Sequence, residues 1–230
     1  MSSPITLQDF HAKALADYGI ADLWPEAVLK EAKTKKEHIT KEIDALETFP
    51  FVTIDGEDAK DFDDAIFCEF SDHGFHLKVA IADVSFYVKE GSAIDLEAAK
   101  RTTSVYMPRK VVPMLPEKLS NELCSLQPNK RRRCLCIEMD FDKDGYINSY
   151  KFHRGIIKSV ARLTYTEVEN QLINGVKDSD YAESLKAAIA LFNKLIINKG
   201  YRGALDFTIS EPLVQTNSDG DIKHIADRKR

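Results

Sequence analysis

The sequence has no long apolar run. No stretch of the 230 residues approaches the ~20 apolar residues that span a bilayer, and residues 1–13 lack the apolar core of a secretory signal. Cysteine is scarce as well: the chain has four, and the one close pair, Cys134 and Cys136, lies in an alternating segment. Because zinc sites need longer ligand spacings, we interpret the cysteines as free thiols, and we expect a cytoplasmic protein without membrane contact.

An excess of positive charge is also missing. The chain has 32 Lys and Arg against 37 Asp and Glu, a net charge of −5, which argues against a generic nucleic-acid-binding domain. The charge is uneven, however. Residues 41–100 hold fifteen acidic and five basic side chains, whereas residues 128–162 hold nine basic and four acidic ones. Such a chain can hold cations in one region and contact a polyanion with another.

Hydrophobic periodicity predicts an α+β fold, with a mostly antiparallel sheet, flanking helices and a short helical segment before them. Thr164 and Glu167 form a capping-box pattern at the start of one helix. Helices are predicted over residues 5–46, 94–103, 164–173 and 181–199. The last part of the first segment is predicted as a charged helix at 31–47. Strands are predicted over residues 51–54, 65–70, 75–84, 133–141, 146–157, 204–209, 213–216 and 222–225.

The densest cluster of acidic residues lies between two predicted strands. Residues 55–64 contain six acids in ten positions: Asp55, Glu57, Asp58, Asp61, Asp63 and Asp64. Carboxylates this close repel one another unless a cation lies among them, and oxygen ligands suit Mg²⁺ or Mn²⁺. Such ions activate water and neutralise charge at a phosphoryl centre. A solvated acidic turn without a ligand is an equally good interpretation of the acid count alone.

A second acidic segment, Asp140-x-Asp142-x-Asp144-Gly145, matches the opening of a calcium-binding EF-hand loop. The twelfth position of that loop should be Glu, but here it is Lys151. The segment also lies between two alternating runs that predict strands, not helices. We therefore predict a hairpin turn and no calcium site.

Several segments resemble the ribonuclease II/ribonuclease R (RNB) family, and the ribonuclease R branch fits best. The resemblance begins with TIDGEDAKDFDD at residues 53–64 and is most specific in PMLPEKLSNELCSL at residues 113–126. It also includes residues 79–84, 87–92, 103–108 and 203–207. The resemblance implies a Mg²⁺-dependent 3′→5′ exoribonuclease, with Mn²⁺ as an alternative ion, that releases nucleoside 5′-monophosphates from single-stranded RNA.

The resemblance also assigns roles to individual residues. It marks Asp55, Asp61, Asp63 and Asp64 as the metal-binding carboxylates, with Asp63 essential to the attack of water and Asp61 positioning the 3′-terminal nucleotide. It leaves Glu57 and Asp58 as loop residues.

Two aromatic residues, Tyr106 and Phe207, match those that stack on either end of a short run of bases. Judged from the residues alone, Tyr106 is a partly buried ring before Pro108 and Phe207 a strand core residue. Stacking tolerates any sequence and contributes about 1–3 kcal/mol per base. The basic run at residues 130–133 either contacts phosphates or is an exposed turn before a strand.

We expect residues 1–49 to be a helical connecting segment and residues 50–230 to be the N-terminal part of an RNB-like catalytic domain. The family's domain continues past the position of Arg230 and there supplies arginines that hold the scissile phosphate. This chain alone is therefore expected to be weakly active or inactive, and to self-associate through an exposed face. The alternative hypothesis is a non-catalytic remnant that binds RNA.

Overall fold

The structure, a computed structural model, describes residues 6–39, 44–205, 211–217 and 222–228. Its helices are α1 (Leu7–Asp17), α2 (Glu26–Thr34), α3 (Val84–Tyr87), α4 (Ala93–Arg101), α5 (Tyr165–Asn174) and α6 (Ala182–Tyr201), with a short π-helix at Lys118–Leu123. Its strands are β1 (Asp44–Ala45), β2 (Val52–Asp55), β3 (Asp64–Ser71), β4 (Gly74–Ala82), β5 (Val105–Met107), β6 (Lys110–Val112), β7 (Arg131–Asp142), β8 (Ile147–Lys158), β9 (Ala161–Thr164), β10 (Glu211–Thr216) and β11 (Ile222–Arg228).

The chain forms two compact units. The larger one, Ala32–Lys89 with Glu117–Ala204, contains a seven-stranded sheet in the order β1-β8-β7-β4-β3-β2-β9. The pairs β1–β8 and β2–β9 are parallel, and the other neighbours are antiparallel. The predicted α+β class with a mostly antiparallel sheet is therefore confirmed.

Helix α6 covers one face of this sheet. Ala187 and Leu191 pack with Cys68, Phe75 and Phe141, all of which are buried. Burying such side chains contributes about 1.5–3 kcal/mol each. A second buried cluster, Val52, Leu163 and Leu185, lies next to the strands that border the acidic residues. The core therefore fixes β2 and β3, whose ends carry the candidate site.

The smaller unit, Met1–Glu31 with Glu90–Pro116 and Leu205–Arg230, contains α1, α4 and two separate hairpins, β5–β6 and β10–β11. Arg101 organises part of it: its guanidinium lies 3.6 Å from the Trp24 ring centre and pairs with Glu97 at 3.0 Å. None of the helices in the described part of the chain is long and apolar enough to cross a membrane.

Some local predictions are confirmed. The capping box at Thr164 and Glu167 is present at the start of α5, and the acidic segment near Asp144 is the turn between β7 and β8. Residues 206–210, which contain most of the strand predicted at 204–209, lie outside the described residues. The proposed boundary at residue 49 stays a prediction.

The helix predicted over residues 31–47 is wrong beyond Thr34. Residues 35–39 are not helical, and Asp44–Ala45 is a strand parallel to β8. Tertiary contacts outweigh the helical pattern there: Glu37 accepts from Arg132 at 2.8 Å, and the carbonyl of His38 accepts from Arg133 at 3.2 Å. The sequence reading also missed the β5–β6 hairpin and strand β9, which are short.

Candidate functional site

The acidic loop, residues 56–63, connects the neighbouring strands β2 and β3, neither of which is an edge strand of the large sheet. Asp55 ends β2 and Asp64 begins β3. The two strands pair antiparallel with Val52 opposite Ile66, so this register brings the end of β2 next to the start of β3. Two of the predicted metal ligands are therefore carried by sheet strands, which are more rigid than the loop between them.

Neighbouring carboxylates perturb Asp55 and Asp64. Burial, and then the charges of Asp64, Asp63 and Asp61, raise the pKa of Asp55 to about 6, although Arg162 acts in the opposite direction. Burial and the charge of Asp63 also raise the pKa of Asp64. The structure thus brings all four predicted carboxylates into one electrostatic cluster. Their roles in catalysis stay predictions.

The environment of one Asp55 oxygen bears on metal binding. Asp55 Oδ2 is buried and has no hydrogen-bond partner among the described residues. A buried carboxylate oxygen without a partner is costly, and a cation would satisfy it. Across the described ranges, no three His, Cys, Asp or Glu side chains are arranged closely enough to form a metal site. The unsatisfied oxygen of Asp55 fits a hard divalent ion as a first ligand, but the described residues do not group Asp61, Asp63 and Asp64 around it as a metal site, so their role as further ligands stays a prediction.

The backbone of the acidic loop is fixed from outside. The buried Ser125 hydroxyl donates to Lys60 O at 2.9 Å and accepts from Phe62 N at 3.2 Å. Leu126 N donates to Phe62 O at 2.7 Å, and Ala82 N donates to Asp63 O at 2.9 Å. Asp61 and Asp63 flank Phe62, so these bonds hold the backbone on both sides of it.

Arg162 on β9 holds the beginning of the loop. Its Nη2 donates to Gly56 O at 2.5 Å and to Glu57 O at 2.7 Å. Arg162 and Ser125 were both missed in the sequence analysis. Arg162 is separated from Gly56 by 106 positions, and no local pattern links it to the acidic residues.

Glu57 and Asp58 are exposed. Glu57 accepts a hydrogen bond from Thr166 Oγ1 at 2.5 Å, which is a structural contact at the start of α5. Their prediction as loop residues agrees with this placement.

The structure describes one of the two aromatic candidates. Tyr106 is on β5 in the smaller unit and is 66% exposed. The alternative of a partly buried ring is thus wrong. Phe207 lies outside the described residues.

The interpretations of the basic run at residues 130–133 need correction for Arg132 and Arg133, whereas Lys130 and Arg131 are exposed. Arg131–Arg133 begin strand β7, and Arg132 and Arg133 are buried. Arg132 pairs with Glu37 at 2.8 Å, and Arg133 lies 3.7 Å from the Phe86 ring centre and 3.8 Å from Asp83. These two guanidinium groups therefore stabilise the fold and are not displayed to a phosphate backbone.

The four cysteines are free and buried. Burial raises the pKa of Cys68, Cys124 and Cys134 to about 12 and that of Cys136 to about 11. Thiols in this state are poor nucleophiles, which agrees with their interpretation as structural residues.

The chain is similar to known proteins in both sequence and fold. The RNB domain family model matches residues 43–230. Ribonuclease R of Acidithiobacillus ferrooxidans is 44% identical over 202 residues, which cover 84% of this chain and 46% of that relative. The structure of Mycoplasma genitalium RNase R in complex with double-stranded RNA matches with a TM-score of 0.91 at 33% identity, covering 96% of this chain and 40% of that one.

A more distant match shows the fold alone. Yeast Ssd1, described as a pseudonuclease, is 22% identical with a TM-score of 0.60, over 69% of this chain and 20% of its own. The chain spans less than half the length of each of these relatives. The family match covers most of the chain and includes the acidic loop: the chain belongs to the RNB domain family.

Proposed function

We propose that the chain carries the metal-binding part of a Mg²⁺-dependent 3′→5′ exoribonuclease site that releases nucleoside 5′-monophosphates from single-stranded RNA. The observation that carries the proposal is the acidic cluster, in which Asp55 has a buried oxygen without a partner among the described residues and a pKa raised to about 6. The relatives named ribonuclease R support RNA as the substrate.

In this proposal each carboxylate has a separate task. Asp55 and Asp64 hold the ion from the strand ends, and Asp61 positions the 3′-terminal nucleotide. When bound, Mg²⁺ or Mn²⁺ supplies activation of water and neutralisation of the phosphoryl charge. Asp63 keeps a negative charge beside the attacking water, and exposed Tyr106 stacks on the terminal base irrespective of its identity. Phe207 is proposed to close the other end of the base stack.

The test replaces Asp63 by Asn in a protein that includes the downstream part of the domain. We expect hydrolysis to be abolished and affinity for single-stranded RNA to be nearly unchanged, because stacking and phosphate contacts lie elsewhere. The matched control is Asp58→Asn, in the same loop and exposed, which should retain turnover. Near wild-type turnover in the Asp63 variant would contradict the proposal.

The chain of 230 residues is proposed to be a poor nuclease by itself. Catalysis requires charge stabilisation around the transferring phosphate as well as metal ligands, and a misplacement of about 1 Å can cost ~100-fold in rate. Incubation with 5′-labelled single-stranded RNA and Mg²⁺ separates the hypotheses. Binding without shortening supports an RNA-binding remnant, whereas robust shortening that disappears in Asp63→Asn shows that this chain suffices.

Self-association is a further part of the proposal. Six large hydrophobic residues of the large sheet are 42–65% exposed: Phe70, Ile81, Leu135, Ile147, Tyr150 and Phe152. Tyr150 and Phe152 are neighbours on one face of β8, with ring centres 5.8 Å apart. Accessible apolar area of this kind favours contact between copies of the chain.

A further inference from the structure

Charge repulsion destabilises the compact form of the acidic loop when no metal is bound. Residues 55–64 carry six carboxylates, which repel one another in the absence of a cation, and this repulsion favours an extended loop. An extended loop would have to be ordered again at each binding event, at a cost in conformational entropy. Groups that hold the loop independently of a metal would remove that cost.

Two residues outside the loop meet this need. Ser125 is 0% exposed, and its single hydroxyl both donates to Lys60 O and accepts from Phe62 N. This bridge spans Asp61. The bond from Phe62 N is buried, so water cannot replace it without opening the structure, and the bond to Lys60 O is partly buried.

Arg162 acts on the opposite end of the loop. Its Nη2 reaches two consecutive carbonyls, Gly56 O and Glu57 O, directly after Asp55. The guanidinium also lies 5.7 Å from the ring centre of Phe62, whose side chain is buried. Arg162 and Ser125 thus hold the two ends of the same eight-residue loop, and each does so through backbone atoms.

We propose that Ser125 and Arg162 are positioning residues that hold the backbone of the acidic loop in one conformation before any metal arrives. Neither supplies a ligand to the ion. They set the backbone on which Asp61 and Asp63 are carried, next to strand-borne Asp55 and Asp64. The inference deepens the proposed function, and its metal-affinity readout rests on that function.

The chain offers a matched control for Ser125. Ser184 is 6% exposed, and its hydroxyl accepts from Cys68 N at 3.0 Å. Ser184→Ala therefore removes a buried serine hydrogen bond from a backbone amide of β3 without touching the loop or Leu126, which donates to Phe62 O. Ser125→Ala and Ser184→Ala should lower the unfolding midpoint similarly, so a difference in the loop reports position, not general stability.

The experiment measures amide hydrogen exchange in residues 56–63 of the metal-free chain and Mn²⁺ affinity by calorimetry. In Ser125→Ala and Arg162→Met we expect loop exchange at least ~10-fold faster, with Phe62 N the most affected in the serine variant, and Mn²⁺ affinity ~10-fold weaker. In Ser184→Ala both quantities should match the wild type. If Ser125→Ala is not folded, Ser125→Cys, which keeps a weak donor, takes its place.

The outcomes separate the inference from the proposed function. Unchanged loop exchange in the Ser125 and Arg162 variants, or equal acceleration in Ser184→Ala, overturns the positioning role. Wild-type protein that takes up no Mn²⁺ contradicts the metal proposal, while the exchange comparison still decides whether the two residues hold the loop.

Discussion

At the scale of single residues, Asp55 lies in an environment that disfavours its ionised form. Its pKa is raised to about 6 by burial and by Asp64, Asp63 and Asp61, so the folded state holds a proton more tightly than the unfolded chain, where Asp titrates near ~3.9. Ionisation therefore destabilises the metal-free fold. The penalty is absent at low pH, appears between pH ~4 and ~6, and is complete above that range.

Asp55→Asn should accordingly stabilise the metal-free chain at pH 8 and have a smaller effect at pH 5, because the amide carries no charge to repel. Urea unfolding at both pH values measures this. Asp58→Asn, an exposed position in the same loop, is the control and should change stability little at either pH. Equal changes in the free energy of unfolding for the two variants would contradict the assignment of the ionisation penalty to Asp55.

A second residue, Arg109, has an unfavourable backbone conformation. It follows Pro108 in the two-residue turn between β5 and β6 and has φ +60°, a region that favours glycine because the Cβ of other residues collides with the backbone. Arg109→Gly should raise stability by about 0.5–1 kcal/mol. A thermal melt measures the change.

The control for Arg109 is Asn129→Gly, since Asn129 has φ +62° but asparagine tolerates this region better. Its gain should be smaller. A lower midpoint for Arg109→Gly would show that contacts of the Arg109 side chain, including its bond to Asn217 O at 3.4 Å, outweigh the backbone strain.

At the scale of secondary-structure elements, a charge ladder joins strands β4, β7 and β8. Glu138 accepts from Lys78 at 2.5 Å and pairs with Lys151 at 3.0 Å, and both Lys78 and Glu138 are buried. Burial raises the pKa of Glu138, but the hydrogen bonds from Lys78 and Lys151 outweigh it and lower the pKa to about 2. The charge ladder therefore stabilises the pairing of these three strands as long as Glu138 is ionised.

Glu138→Gln should cost about 3–5 kcal/mol at neutral pH, because it leaves the Lys78 ammonium buried without a counter-charge. The folded pKa is below the unfolded one, so the stabilisation is complete above pH ~4.5 and is lost as the pH falls towards 2. Denaturant unfolding between pH 7 and pH 3 should show wild type and variant converging. Asp140→Asn, an exposed residue on the same strand, should cost much less.

At the scale of the whole molecule, metal binding should be linked to folding. The native loop collects charges that the unfolded chain disperses, so Mg²⁺ at ten times its Kd should add about 1.4 kcal/mol of stability. Thermal melting with several millimolar Mg²⁺ is compared with melting in NaCl of equal ionic strength. The gain should vanish in Asp64→Asn, and an unchanged wild-type midpoint would contradict the metal proposal for this chain.

Self-association is also a property of the whole molecule. Sedimentation velocity should show a concentration-dependent shift to larger species, which Phe152→Ser reduces because it removes exposed apolar area on β8. Tyr18→Ser, at a residue that is 81% exposed in the smaller unit, is the control and should leave the shift unchanged. A monomer at every concentration would contradict the self-association.

Features of the fold that depend on neighbouring residues could be predicted from the sequence. The hairpins β3–β4 and β7–β8, the capping box of α5 and the placement of the acidic loop between two strands follow from periodicity and turn residues. The motifs at residues 53–64 and 113–126, with several shorter segments, indicated the family. The tertiary structure decided the rest: that Arg132 and Arg133 are buried, that the predicted helix ends at Thr34, and that Ser125 and Arg162 hold the acidic loop. The reason is physical, because these outcomes depend on partners 63 to 106 positions away, and no local periodicity specifies which distant residue will fold against them.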